Sequence, residues 1–134
     1  MLWKPYRLRK NWQFKEIIKK GKKVNNASFS IFSIENNLEN CQFGISIPQK
    51  LVKKAVDRNY YKRQIRNMLI FHLKEHNDTC QINNDHIHYN FIIIIRYFYL
   101  ESSFQINQKK LNRLLFLIYE QKNNNIWWQK KIND

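Results

Sequence analysis

The chain has 134 residues, 43% hydrophobic and 15% aromatic, which suffices for one domain with a real core and argues against a disordered chain. Lys and Arg number 24 against 10 Asp and Glu, a formal charge of +14. A surplus of that size repels itself in a compact monomer and favours a polyanionic partner, with nucleic acid ahead of an anionic membrane surface.

Arg7, Arg9 and Lys10 form a basic lead-in. Asn11 is the expected N-cap and Gly21 the expected C′ residue of a helix of about ten residues. Phe14, Ile17 and Ile18 at i, i+3, i+4 give it an apolar face. Lys19, Lys20, Lys22 and Lys23 gather at the negative end of its dipole. Residues 28–35 are rich in strand formers, with Phe29 and Ile31 on one face and Phe32 and Ile34 on the other. Residues 41–47 alternate, placing Cys41, Phe43, Ile45 and Ile47 inward. Gly44, in mid-strand, marks a place where something approaches the backbone. With a polar turn at 36–40 between them, these two runs predict a hairpin.

Pro48-Gln49-Lys50 leads into a basic helix running from Lys53 to about residue 75. Lys54, Arg58, Lys62 and Arg66 step down one side of it at i, i+4, i+8 and i+12. Asn59 and Arg63 widen the row, and Asp57 is the only acid between 53 and 66. Val56, Tyr60 and Phe71 fall on the far side and are expected to form its buried strip. Like charges at this spacing repel by a few tenths of a kcal/mol per pair, so the row makes sense with a polyanion against it. Residues 77–88 read as a polar loop and 89–97 as a strand buried on both faces. Asn107 is the expected cap of a last helix that buries Leu111, Leu114, Leu115 and Ile118.

The order helix, strands, helix, strand, helix gives an α+β fold, a single compact domain around one mostly antiparallel sheet. Residues 1–121 are read as the domain and 122–134, with Trp127 and Trp128, as a polar tail. Apolar runs such as 91–95 and 114–119 are far too short to span a bilayer. Residues 1–7 lack the apolar run of a signal peptide. The expectation is a cytoplasmic protein without a membrane contact or an obligate protein partner. Cys41 and Cys80 are then expected as free thiols.

A two-metal nuclease needs converging carboxylates, yet the ten acids are scattered and no two share a close motif. With Gly21 and Gly44 as the only glycines, no phosphate-cradling loop exists either. No catalytic residue and no protein-bound metal or cofactor is expected. His72 and His76 stand at i, i+4, but the close Cys or Glu partners of a zinc site are missing, and surface histidines near RNA are the plainer reading.

Ala55-Val56-x-Arg58-Asn59-x-x-Lys62-Arg63-x-x-Arg66 resembles the signature helix of the bacterial ribonuclease P protein subunit. Arg7-Leu8-Arg9-Lys10-x-x-x-Phe14 with Gly21 is similar to that family's opening helix. Phe43-Gly44-Ile45-Ser46 with Lys50, and Ile93-Ile94-Ile95-Arg96, resemble its strand and loop before the signature helix and its late strand. The resemblance implies an additional short early strand and a left-handed βαβ crossover through the basic helix. It implies that Lys50, Lys53, Lys54, Arg58, Asn59, Lys62, Arg63 and Arg66 contact the catalytic ribonuclease P RNA. It further implies that Arg9, Phe14, Ile18, Phe32, Lys50 and Arg96 border a cleft for the single-stranded 5′ leader of precursor tRNA. The RNA, with Mg²⁺, would then perform the endonucleolytic cleavage that matures tRNA 5′ ends. This chain departs from the family pattern in three places: Tyr60 and Gln49 where cations are common, and Ile18 where an aromatic is frequent. The competing readings are a non-enzymatic ribosomal or rRNA-binding protein, which shares charge and fold but not the signature spacing, and a peripheral membrane protein, which would need a wide apolar face on the basic helix.

Overall fold

In the computed structural model, which describes residues 6–8, 10–38, 40–75 and 88–123 (75 and 120–123 as backbone), helix α1 spans Asn11–Lys20. Its N-cap is Lys10 and not Asn11. The Lys10 N–H donates to Gln13 Oε1 at 3.3 Å, and its carbonyl accepts from Gln13 N at 3.1 Å. The side chain of Gln13 thus starts the helix one residue ahead of the expected cap. Gly21 ends it in extended backbone, at φ −75° and ψ 162°. Close packing demands glycine there: a Cβ would stand 2.5 Å from the Ile17 carbonyl oxygen and 2.8 Å from that of Ser33.

Strands β1 (Lys22–Asn25) and β2 (Phe29–Asn36) form the hairpin, in register from Lys22↔Ser33 to Asn25↔Ser30. Asn26 Oδ1 closes its turn by accepting from the N–H groups of Ser28 and Phe29 at 2.9 and 2.8 Å. The early strand implied by the resemblance is therefore β1. The expected pairing of β2 with β3 (Gln42–Ser46) is corrected, because β4 (His88–Ile95) lies between them in the order β1-β2-β4-β3. β4 is apolar on both faces, so burial is greatest when it takes an inner position and leaves β3 at the edge. It runs antiparallel to β2 and parallel to β3, which makes the sheet mixed with two of its three pairings antiparallel.

Helix α2 (Ala55–Glu75) carries the chain from β3 to β4. Lys53 and Lys54 precede it, with the Lys54 carbonyl accepting from Arg58 N at 3.0 Å. Its buried strip is Ile65, Met68, Leu69, His72 and Leu73, with Tyr61 partly buried against the core at its start. Val56, Tyr60 and Phe71, expected in that role, are exposed. The strand expected over 89–97 stops at Ile95, and Tyr97 opens a short helix, α3 (Tyr97–Glu101). Helix α4 (Phe104–Asn123) is capped by Ser103, whose Oγ accepts from Ile106 N at 3.3 Å. Asn107 lies one turn inside and donates to the Tyr99 carbonyl at 3.0 Å, tying α3 to α4. Leu111, Leu114, Leu115 and Ile118 are buried as expected.

One sheet face, with Phe29, Ile31, Phe43, Phe91, Ile93 and Ile95, packs against α2 and α4. On the other, Ile92 joins Leu8 and Ile17, with Phe14, Phe32, Ile34 and Ile94 packed around them. His72 is buried, its Nδ1 3.1 Å from Asn112 Oδ1, and His88 is buried too, so the surface reading of the histidines fails for both. The free-thiol expectation is corrected at Cys41, which is disulfide-bonded. Cys80, His76, His86, Trp127 and Trp128 lie outside the described residues, as does most of the loop expected at 77–88.

Candidate nucleic-acid interface

The N-terminal segment runs along the β3 edge: Arg7 bridges Phe43 in parallel sense, and Leu8 N–H donates to the Phe43 carbonyl at 2.9 Å. Leu8 is buried, so Arg7 is held against the edge by the residue that follows it. From the opposite face α1 places Phe14 over Gly44. A Cβ on Gly44 would stand 2.5 Å from Phe14 Cζ, so the approach foreseen at this glycine is made by that ring. From below, α2 presents Arg58, Lys62 and Arg66.

These elements enclose a cleft of about 380 Å³ whose lining includes Arg7, Phe14, Gly44, Arg58, Lys62 and Arg66. Among the described residues no carboxylate lines it. The three α2 cations are half-buried because their row borders the helix's buried strip. Arg58 also braces the loop that enters α2, its Nη1 donating to the carbonyls of Val52 and Lys53 at 3.0 and 2.7 Å. Arg7 Nε is itself buried, with no hydrogen-bond partner among the described residues, so the guanidinium enters the lining by its other atoms. Sequence reading passed over Arg7 as a site residue; the apolar Leu8 beside it was the available signal.

The other expected residues lie around this cleft. Lys50 is exposed in the turn where Leu51 and Val52 N–H groups donate to the Pro48 carbonyl, both at 3.0 Å. Lys53 and Lys54 line a separate recess, and Asn59 and Arg63 are exposed on α2. Ile18 is exposed one turn beyond Phe14 and does not line the cleft. Phe32 is half-buried, with Lys23 Nζ 5.7 Å from its ring centroid. Arg96 donates from Nη1 to the Asn26 carbonyl at 2.6 Å and so clamps the β1–β2 turn outside the cleft. Arg9 lies outside the described residues. Among the described residues no three His, Cys, Asp or Glu side chains converge as a metal site would require. No described helix is long and apolar enough to cross a membrane.

The family model described as Ribonuclease P matches residues 2–119. The chain belongs to the ribonuclease P protein family. It is 37% identical over 108 residues to the ribonuclease P protein component of Mesoplasma florum, covering 81% of this chain and 90% of that protein. The Mycoplasmopsis pulmonis ribonuclease P protein component is 31% identical over 112 residues, covering 84% and 90%. Among solved structures, the Staphylococcus aureus RNase P protein superposes with TM-score 0.66 at 30% identity, covering 84% of this chain and 94% of that one. The Thermotoga maritima RNase P protein gives 0.64 at 25%, covering 81% and 94%. The α+β fold with its four-stranded mixed sheet is the fold of these ribonuclease P proteins. The chain's role is that of the protein subunit of ribonuclease P, and the ribosomal alternative is not favoured.

Proposed function

We propose that the cleft takes the single-stranded 5′ leader of precursor tRNA while the exposed cations around α2 hold the ribonuclease P RNA. The observation that carries this reading is the convergence of Arg7, Arg58, Lys62 and Arg66 on Phe14 and Gly44, with no acid in the lining. A single strand offers phosphates to such a row and bases to such a ring, whereas a regular duplex keeps its bases stacked away from it. Phosphates lie along Arg58, Lys62 and Arg66, and Arg7 adds a fourth cation to the same lining. Lys50, Lys53, Lys54, Asn59 and Arg63, outside the cleft, face the catalytic RNA.

In this division the protein binds and orients. The described residues supply no converging carboxylates, which does not fit an Mg²⁺ pair held by them, and this reading gives them no metal-dependent step. Mg²⁺ belongs to the RNA partner, which hydrolyses the phosphodiester bond in the cytoplasm. The test is reconstitution with a ribonuclease P RNA. The complex is expected to cleave precursor tRNA at lower Mg²⁺ than the RNA alone, and the protein alone is expected not to cleave at all. Cleavage by RNA-free protein that follows it through purification would overturn the division of roles.

A further inference from the structure

Tyr60 stands on α2, and neither the core nor the cleft uses it. It is 57% exposed, opposite the buried strip of α2, with Val56 one turn before it at 76% and the exposed Arg63 one turn after. An exposed tyrosine ordinarily samples several rotamers, yet this ring is held from two directions. Its edge meets Tyr61, with ring centroids 5.4 Å apart at 68°. Its hydroxyl accepts from Gln64 Nε2 at 3.1 Å, while Gln64 Oε1 accepts from the Tyr99 hydroxyl at 2.8 Å. Tyr99 is buried, packed edge-on against Phe29 and Tyr61 at 5.3 and 5.7 Å. The core therefore reaches through Gln64 to fix an aromatic plane at the surface, and its rotamer entropy is lost on folding and not on binding.

Tyr61, which the Tyr60 ring meets, lines a second recess of about 380 Å³ together with Lys53, Lys54, Asp57 and Leu100, and Tyr60 itself stands outside that lining. A fixed aromatic face whose ring neighbour Tyr61 lines a recess with two lysines and one carboxylate, on a chain of charge +14, matches an unpaired nucleobase stacked on Tyr60. We propose that Tyr60 is a preset stacking platform for an unpaired nucleotide of the ribonuclease P RNA, with Lys53 and Lys54 taking its phosphate. The inference rests on the assignment of this face of α2 to that RNA. A stack on Tyr60 adds affinity without neutralising a phosphate, so it leaves the salt slope unchanged.

The experiment measures affinity of the full chain for ribonuclease P RNA over a range of salt, for wild type, Tyr60→Ala, Tyr60→Phe and Tyr60→Arg, with a melting curve for each. Tyr60→Ala is expected to bind about 5- to 150-fold more weakly at every salt concentration, with an unchanged log–log slope. Tyr60→Phe keeps most of the affinity, and Tyr60→Arg steepens the slope by about one unit. A folded Tyr60→Ala that binds like wild type overturns the platform, as does one whose slope falls by a unit. Unchanged RNA affinity together with altered sedimentation would give the face to a second copy of the chain and overturn it equally. A wild-type chain that does not bind this RNA would instead overturn the functional reading on which the platform rests.

Discussion

Tyr119 puts a hydroxyl into the core with no hydrogen-bond partner among the described residues. Burial drives its pKa far above the ordinary 10.0 of tyrosine. Tyr99 is raised by burial and then by Tyr61 and Tyr60, and Tyr89 is pushed up to about 12 by burial and then by Glu35. In each case the folded chain holds the phenolic proton more tightly than the unfolded one. Stability from these groups is whole below pH 10 and falls as pH rises through 12 and beyond. Urea midpoints are expected to drop as pH rises above the ordinary tyrosine value of 10.0, and less so in Tyr119→Phe. At neutral pH the same substitution removes a buried unsatisfied hydroxyl and is expected to leave stability unchanged or raised by about 1 kcal/mol. A loss larger than that would mean the hydroxyl has a partner.

Helix α2 shows what periodicity can and cannot reveal. The cation row was legible because 3.6 residues per turn puts Arg58, Lys62 and Arg66 on one line whatever surrounds them. The buried strip was not, because the side opposite the cations was taken as the inward one. In the fold the row borders the strip through Tyr61, Ile65 and Leu69, and the true opposite side, Val56, Tyr60 and Phe71, meets solvent. A row flanking a cleft must lie near the core, and no local pattern states that a cleft exists. The row also has unequal members. Arg58→Ala removes two donated bonds to the Val52 and Lys53 carbonyls and is expected to cost about 1–2 kcal/mol. Lys62→Ala and Arg66→Ala are expected to stay within about 0.5 kcal/mol. Removing all three should lower the salt slope of precursor-tRNA affinity by about 2 units, the value for three phosphates of a single strand. An unchanged slope in the folded triple variant would make the row a solvated face.

At the scale of the whole molecule, the elements were legible and their neighbours in space were not. The alternation of 41–47 and the apolar run within 89–97 identify strands, but nothing local says that β4 inserts between β2 and β3. That insertion leaves β3 at the edge, where α1, the segment around Arg7 and α2 meet from three directions. It also separates two phenylalanines that sequence reading assigned to one leader site. Phe14 lines the cleft, whereas Phe32 pairs with Lys23 of β1, two strands away from β3. Leucine tests this better than alanine, because it retains much of the packing against Ile17 and Ile92 while removing the π-face. Phe14→Leu is expected to cost under about 1.5 kcal/mol in stability. In the reconstituted complex it should weaken precursor tRNA by about 1–3 kcal/mol and leave mature tRNA unchanged, because only the precursor brings a base to stack. Phe32→Leu should change neither affinity. Equal losses on both RNAs with a large fall in melting temperature would make Phe14 a core residue. Leader discrimination lost in Phe32→Leu and kept in Phe14→Leu would move the leader to the β1 side of the sheet, where Lys19, Lys20, Lys22 and Lys23 would have to supply the phosphate contacts.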